Sequence, residues 1–381
     1  MDTRPRAPTT GVRRIAVIAH SASSLLRFRG PLIAEIAERR HRVLAVAPDL
    51  SGDGAASLQR MGVETATVVL EPPEAGLLSD RRTAKAVAAQ LAAFAPHIVL
   101  SSGPRSAVFG AIGGRKAGAH TVLMVNGLSS LGLGPTAVSG SWLVDRMVRW
   151  RAKAALAAAD VVVFHNAADR AYLRATGLLP ATQHCLVQPG SGVDLERWAE
   201  APLPPIAGPL VFLMAGRLAR STGADVFAAA AARIKARAPG TIFLFAGPQG
   251  NGPDGLPAEV SSNGAVEYLG ALEDIAPAIA RAHVFVYPSH GEGLPGAVLE
   301  AMSMGRPILT TDTPGCRETV DERVNGCVVP PGDSEALAEA MQSFLGRPEA
   351  IPAMGRASRM KAERRFDQRP VVAELMDVLG L

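Results

Sequence analysis

The sequence predicts an α/β protein built from two Rossmann-like, doubly wound domains. Short apolar segments alternate with amphipathic helical segments, a Pro- and Gly-rich break interrupts them near residue 190, and the same alternation then starts again. The 381 residues also exceed what one hydrophobic core usually holds. We therefore expect one domain at residues 1–190 and a second at residues 191–365.

The first half opens with a βαβ unit. RRIAVIAH has the pattern of a buried strand, PLIAEIAERR that of an amphipathic helix and HRVLAVAP that of a second strand. Helices are then predicted at DRRTAKAVAAQLAAFAP and SAVFGAIGGRKAG, and strands at HIVLSSG, HTVLMVNG and ADVVVFHN. Strands alternating with helices indicate a mostly parallel sheet.

The second half restarts the pattern after LVQPGSGVDLERWAEAPLPPIAGP. Strands are predicted at PLVFLMAG, GTIFLFAG, AVEYLG, HVFVYPS and PILTTD, and helices at DVFAAAAARIKAR, IAPAIARA and SEALAEAMQSFLG. Ligands of open α/β sheets lie beyond the carboxyl ends of the strands, so we expect the two halves to face a cleft.

Composition excludes several classes of protein. Cys185, Cys316 and Cys327 are widely spaced without a metal-ligand pattern, so we expect neither disulfides nor a zinc site, and a reducing compartment. No stretch approaches the roughly 18 apolar residues of a transmembrane helix, and the apolar run Ile15–Ala19 is too short for a signal peptide. These features predict a cytoplasmic protein.

Charge is distributed unevenly along the chain. Residues 1–190 carry 22 Lys and Arg against 12 Asp and Glu, whereas the remainder carries 17 against 23. A basic half is typical of proteins that meet membrane headgroups, phosphorylated lipids or nucleic acid, but no nucleic-acid-reading module is present. The run SWLVDRMVRWRAKAAL, residues 141–156, combines Trp142 and Trp150 with Arg and Lys side chains. It either lies on an anionic membrane surface or packs on the sheet as an ordinary amphipathic helix.

The stretch HGEGLPGAVLEAMSMGRP, residues 290–307, carries the clearest sign of a binding site. Glu292 follows a predicted strand on a loop whose glycines at 291, 293 and 296 permit close approach of a ligand. Free N–H groups at the start of the next helix favour phosphate. Glu300 lies one turn into that helix, where its carboxylate suits vicinal hydroxyls such as a ribose diol. The alternative is a solvent-exposed position on the helix.

These residues carry a family resemblance. Glu292 to Glu300, followed by TDTPGCRETV, resembles the EX7E signature of retaining GT-B glycosyltransferases of family 4. The resemblance extends over most of the chain through LLRFRGPLIAEI, QPGSGVDLERW, AGRL and GCVVPPGDSEALAEAM. It implies the GT-B fold, with residues 366–381 packing back on the first domain as a helix. FRGPL and GSGVDLERW are similar to a branch that extends polyprenyl-diphosphate-linked sugars in capsule, O-antigen and glycoprotein pathways.

The resemblance implies roles for the residues that bind the donor. Glu292 contacts the donor sugar, Glu300 holds the ribose hydroxyls and Arg217 neutralises the diphosphate leaving group. Residues beside the first carboxylate also bind the donor, namely Gly293, Leu294 and Pro295. Many members continue with a Lys before the glycine, whereas this chain has Thr222 there. Either Arg220 replaces the missing cation or the leaving group is less stabilised.

The resemblance places the acceptor on the first half. Arg27 and Arg29, beside Gly30 in the expected first strand-to-helix loop, are assigned to an acceptor phosphate. Asn126 and Gly127 occupy the loop where many members carry a His, and Asn126 can bind a hydroxyl but cannot act as a base. His165 is interpreted as a strand-edge residue.

The expected function is transfer of a hexose or N-acetylhexosamine from a nucleotide sugar, UDP-linked, to a polyprenyl-diphosphate-linked saccharide. The resemblance implies retention of configuration. No Asp-x-Asp motif is present, so we expect neither a metal nor another cofactor. The enzyme is expected in the cytoplasm, with peripheral attachment to the inner face of the membrane. The alternatives are a UDP-sugar epimerase of the same fold and a catalytically degenerate nucleotide-sugar-binding protein.

Overall fold

The structure is a computed structural model that describes residues 11–70, 76–133, 142–250, 254–257, 264–291 and 293–381. The chain divides into two compact units. The first comprises Met1–Ser191 together with Arg369–Leu381, and the second comprises Gly192–Gln368.

The first unit is built on a parallel sheet. Within the described residues its strands are β1 (Arg14–Ile18), β2 (Arg42–Ala47), β3 (Glu64–Thr67), β4 (Ile98–Ser102), β5 (His120–Val125), β6 (Val161–Phe164) and β7 (Cys185–Val187). They lie in the order β3-β2-β1-β4-β5-β6-β7, and every pair is parallel. The carboxyl ends of all these strands therefore meet at one edge of the sheet.

Helices connect these strands. They are α1 (Gly30–Glu38), α2 (Gly52–Arg60), α3 (Gly76–Phe94), α4 (Ser106–Lys116), α5 (Trp142–Ala158) and α6 (Ala167–Ala175). The expected loop before α1 is helical instead, with an α turn at Ala22–Ser24 and a π-helical turn at Leu25–Arg29. Ser21 caps this segment by accepting a hydrogen bond from the Ser24 amide, and no Gly or Pro interrupts it before Gly30.

The second unit repeats the architecture. Its strands among the described residues are β8 (Val211–Ala215), β9 (Ile242–Ala246), β10 (Glu267–Tyr268), β11 (Val284–Tyr287), β12 (Ile308–Thr311) and β13 (Gly326–Val329), in the order β10-β9-β8-β11-β12-β13. All pairs are again parallel. The helices are α7 (Ala224–Arg237), α8 (Ala276–Arg281), α9 (Gly296–Ser303), α10 (Pro314–Arg317), α11 (Ser334–Gly346) and α12 (Ile351–Arg365).

The last helix, α13 (Gln368–Leu379), belongs to the first unit from Arg369 onward. Its apolar side chains Leu375 and Met376 pack in the same core cluster as Ile15 and Val17 of β1. The core of each unit lies on both faces of its sheet, as a doubly wound fold requires. None of the helices in the described ranges is long and apolar enough to cross a membrane.

Candidate functional site

The loop that follows β8 is braced by its own side chains. Thr222 is buried, and its hydroxyl shares its one proton between the carbonyl oxygens of Arg217 and Ala219, each 2.8 Å away. Gly223 has a φ of +77°, and a Cβ there would come within 2.0 Å of the Pro288 carbonyl oxygen. The position therefore requires glycine. Because the Thr222 side chain points into the loop, it is not part of the solvent-exposed face of the loop, here called the outer face.

Two arginines occupy that outer face. Arg217 and Arg220 are both exposed. The backbone around Arg220 is held by Asp254, whose carbonyl accepts from the Arg220 amide at 2.9 Å and whose Oδ1 accepts from the Ser221 amide at 2.9 Å. The Arg220 guanidinium lies 3.6 Å from the carboxylate of Asp225, with the Arg220 side chain 66% exposed. The loop thus presents guanidinium groups of the kind that bind phosphate in a fork.

The loop after β11 is attached to this arginine loop. The His290 amide donates to the Ser221 carbonyl at 3.0 Å, and the Ser289 hydroxyl donates to the same oxygen at 3.2 Å. Both loops lie beyond the carboxyl ends of adjacent parallel strands, because β8 pairs with β11. This is where open α/β sheets bind ligands. Glu292 falls outside the described residues.

Glu300 is buried, with an exposure of 6%, in the middle of α9. The solvent-exposed alternative is therefore wrong for this residue. Gly293 and Pro295 are buried, and Leu294 is half-buried against the core on one face of the sheet. In the described part of the chain, no three His, Cys, Asp or Glu side chains group closely enough to hold a metal ion.

A second polar group lies in the first unit, at the carboxyl edge of its sheet. Arg29 is only 1% exposed. Its Nη2 donates to Asn126 Oδ1 at 3.4 Å, and its Nη1 donates to Ser191 Oγ at 3.2 Å. Burial lowers the pKa of Arg29 to about 10. Gly30 is buried at the start of α1, and Gly127 has a φ of +111° beside Asn126. The sequence indicated Arg29 and Asn126 separately, and the structure brings them together.

His165 is the strand-edge residue that the sequence predicts. It follows β6, is buried, and its amide donates to the Val125 carbonyl at 3.3 Å. Burial first, and the charge of Arg29 second, lower the pKa of His165 to about 3, so the ring is neutral. The only sequence signal was a His directly after an apolar strand, which is also the pattern of an ordinary strand-edge residue.

Family models match most of the chain. Residues 27–190 match the model described as glycosyl transferase 4-like domain, and residues 209–347 match the model described as glycosyl transferases group 1. The two matches fall in successive Rossmann-like units. The predicted family is thereby confirmed.

Curated relatives fall into two kinds of match. Glycogen synthase of Mycobacterium tuberculosis is 31% identical over 193 residues, which are 49% of this chain and 46% of the relative. The chain therefore spans about half the length of this relative. N,N'-diacetylbacillosaminyl-diphospho-undecaprenol alpha-1,3-N-acetylgalactosaminyltransferase of Campylobacter jejuni is 24% identical over 346 residues, covering 87% of this chain and 89% of the relative.

Solved structures share the fold at low sequence identity. Sucrose-phosphate synthase from Thermosynechococcus elongatus superposes with a TM-score of 0.76 at 20% identity, covering 96% of this chain and 98% of that one. Anabaena HepE in complex with UDP and glucose gives a TM-score of 0.74 at 17% identity, covering 97% and 99%. This likeness confirms the predicted fold class, two Rossmann-like domains of the GT-B type. The chain therefore belongs to the group 1 glycosyltransferases, with a glycosyl transferase 4-like domain ahead of the group 1 domain.

Proposed function

We propose that the protein transfers a hexose or N-acetylhexosamine from a UDP-linked sugar to a polyprenyl-diphosphate-linked saccharide, in the synthesis of a bacterial surface polysaccharide or glycoconjugate. The observation that carries this proposal is the pair of joined loops in the second unit. One loop exposes Arg217 and Arg220, and the other leads into the helix that buries Glu300. Cations and a buried carboxylate are the groups that a nucleoside diphosphate needs.

Each group has a role in binding the donor. Arg217 and Arg220 hold the diphosphate, and Glu300 accepts hydrogen bonds from the ribose hydroxyls. Glu292, with Gly293, Leu294 and Pro295, holds the sugar, an assignment that rests on the sequence resemblance. The structural neighbour HepE, solved in complex with UDP, supports uridine as the base of the donor.

The proposed reaction retains the anomeric configuration by front-side attack. The departing phosphate oxygen takes the proton of the acceptor hydroxyl as the new glycosidic bond forms and the sugar–phosphate bond breaks. The two arginines stabilise the charge that develops on the leaving diphosphate. This pathway needs no side-chain nucleophile and no metal ion.

The acceptor is assigned to the first unit. The Campylobacter relative, which matches most of this chain, is named for transfer to a diphospho-undecaprenol-linked sugar, and this supports a lipid-linked acceptor. Because Arg29 is buried, we assign it to positioning Asn126 rather than to touching a phosphate. Asn126 then offers its amide to an acceptor hydroxyl. Gly30 and Gly127 keep the backbone around this pair free of side chains.

Helix α5 is proposed to hold the enzyme on the inner face of the cell membrane. Trp142 and Trp150 are each 68% exposed, and Leu143 is 60% exposed. Spacings of four, seven, eight and eleven residues place Trp142 on one helical face with Arg146, Arg149, Trp150 and Lys153, all of them exposed. Aromatic rings interleaved with cations suit an anionic lipid surface.

Nucleotide release separates the proposed function from its alternatives. The protein is incubated with UDP-, GDP- and ADP-sugars, with and without a bacterial membrane lipid extract. The transferase releases nucleotide only when the extract is present. Conversion of the free nucleotide sugar without extract would indicate an epimerase instead. Binding without release or conversion would indicate a degenerate binding protein, the alternative that Thr222 and Asn126 motivate.

A further inference from the structure

A largely buried cluster of three charged side chains lies in the first unit. Asp80 of α3 lies 3.1 Å from the Nη2 atom of Arg105, and it also forms a close ion pair with Arg151 of α5. The side chains of Asp80, Arg105 and Arg151 are 13%, 12% and 10% exposed. The cluster therefore joins α3, α5 and the residue that precedes α4.

The charges in this cluster do not balance. Asp80 is the only carboxylate within ion-pair distance of either guanidinium in the described ranges, so two cations share one anion. The Nε atoms of Arg105 and Arg151 are buried and find no hydrogen-bond acceptor among the described residues. Burial also lowers the pKa of Arg151, which shows that its charge is held at a cost. The Oδ1 atom of Asp80 also lacks a hydrogen-bond donor among the described residues, so the cluster has two unused donors, one unused acceptor and an excess positive charge. A bound anion would satisfy the donors and the charge.

The backbone at Arg105 is strained. Its φ of +62° lies in the left-handed region, which side-chain-bearing residues seldom adopt. Arg105 comes three residues after β4 ends at Ser102, at the carboxyl edge of the sheet where ligands of α/β folds bind. In this conformation the guanidinium reaches Asp80, and its Cζ atom lies 5.0 Å from the centroid of the Phe109 ring. Strain at such a position is often retained for function.

We propose that Arg105 and Arg151 form a binding site for the phosphate or diphosphate group of the acceptor. The site lies on the same sheet edge as Asn126, since β4 and β5 are adjacent and parallel. This inference rests on the proposed function, because a lipid-linked acceptor brings such a diphosphate. Asp80 is a positioning residue that orients both guanidinium groups and is partly displaced by the anion.

Calorimetric titration of the full-length protein with inorganic pyrophosphate and with farnesyl diphosphate tests the site, with UDP saturating the second unit. The wild type is expected to bind both, and Arg105→Gln to bind both at least about tenfold more weakly. Arg115→Gln is the matched control, since Arg115 lies on α4 with an exposed side chain. Unchanged affinity in Arg105→Gln would overturn the proposal and leave a structural ion network. If the wild type binds farnesyl diphosphate but not pyrophosphate, the affinity comes from the prenyl chain, and this result would also overturn the proposal.

Two further variants keep the test valid if Arg105→Gln folds poorly. Arg105→Gly relieves the left-handed backbone and is expected to fold, yet to lose the anion. Asp80→Asn removes the competing carboxylate and is expected to tighten pyrophosphate binding, whereas a purely structural network predicts lower stability and no gain in affinity.

Transfer assays separate this inference from the proposed function. If Arg105→Gly raises the acceptor KM about tenfold while the donor KM stays constant, both stand. If Arg105→Gly transfers sugar to lipid with the acceptor KM of the wild type, the diphosphate site is contradicted and the proposed function stands. If no transfer occurs in the wild type while pyrophosphate still binds through Arg105, only the proposed function fails.

Discussion

The hydroxyl of Thr222 donates a 2.8 Å hydrogen bond to the carbonyl of Arg217. At the position where many members of the family carry Lys, this chain thus uses a buried side chain to fix the backbone of the arginine that is assigned to the leaving group. Arg220, three residues after Arg217 on the same loop, supplies the second exposed cation of that loop. We propose that Arg220 takes the place of this lysine as the second cation of the loop.

Removing the Thr222 hydroxyl is expected to loosen this loop. Thr222→Val keeps the shape of the side chain but loses both hydrogen-bonded contacts, so the free energy of unfolding should fall by about 1–2 kcal/mol. Urea denaturation measures the change. Ser343→Ala, at an exposed helical position, is the control and should unfold like the wild type. Equal stability of Thr222→Val and the wild type would contradict the bracing role.

Arg217 and Arg220 are expected to act on the rate of transfer. Replacing either by Gln removes a cation from the leaving diphosphate, so kcat should fall by roughly 100-fold or more. The control is Arg233→Gln, because Arg233 is an exposed arginine on α7 that pairs with Glu335. If Arg220→Gln retains the wild-type kcat, Arg220 does not replace the missing lysine.

His165 is expected to make the protein sensitive to acid. Its pKa is about 3 in the folded protein, below the ordinary 6.5, so between these values the unfolded chain binds a proton that the folded protein does not. Stability from this residue is therefore complete above pH 6.5 and is lost as the pH falls toward 3.

Denaturation of His165→Gln at several pH values measures this effect. As the pH falls from about 6.5 to 4, the variant should lose less stability than the wild type. Titration of His165 raises the unfolding constant of the wild type by up to about tenfold per pH unit, and the variant lacks this contribution. Ser343→Ala, at an exposed helical position, should keep the wild-type slope. Parallel curves for His165→Gln and the wild type would show that His165 does not titrate in this way.

The exposed face of α5 is expected to bind anionic vesicles. The wild type should float with phosphatidylglycerol vesicles and much less with phosphatidylcholine vesicles, and added salt should weaken the attachment. Trp142→Ala combined with Trp150→Ala should reduce flotation about tenfold. Tyr172→Ala, an exposed aromatic on α6, serves as the control. Flotation of the double variant like the wild type would argue for a helix that only packs on its own sheet.

Much of the fold follows from local patterns. Continuous apolar runs predicted the central strands, because parallel strands covered on both faces need such runs. The edge strand β3, with the sequence ETAT, was missed because its polar residues carry no such signal. The strand β7, with the sequence CLV, was missed because three residues are too few to show a pattern.

The sequence predicted those residues of the candidate site that lie within a recognisable motif. Glu300 and Arg217 each lie in a recognisable segment, so the sequence indicated both. The contacts of Arg29 with Asn126, and of Arg105 with Asp80, join residues that are far apart in the chain. Tertiary packing alone brings such residues together, and no spacing in the sequence encodes it.

Transfer of labelled sugar to a membrane lipid extract, with EDTA present, would show whether the protein is a metal-independent, lipid-linked glycosyltransferase. A panel of UDP-, GDP- and ADP-sugars is compared for the wild type, Glu300→Ala and the control Glu363→Ala, whose native carboxylate pairs with Arg359. We expect label in the lipid phase from a UDP-sugar, lost in Glu300→Ala and kept in Glu363→Ala. Absence of lipid label from every donor, despite measurable nucleotide binding, would contradict this expectation.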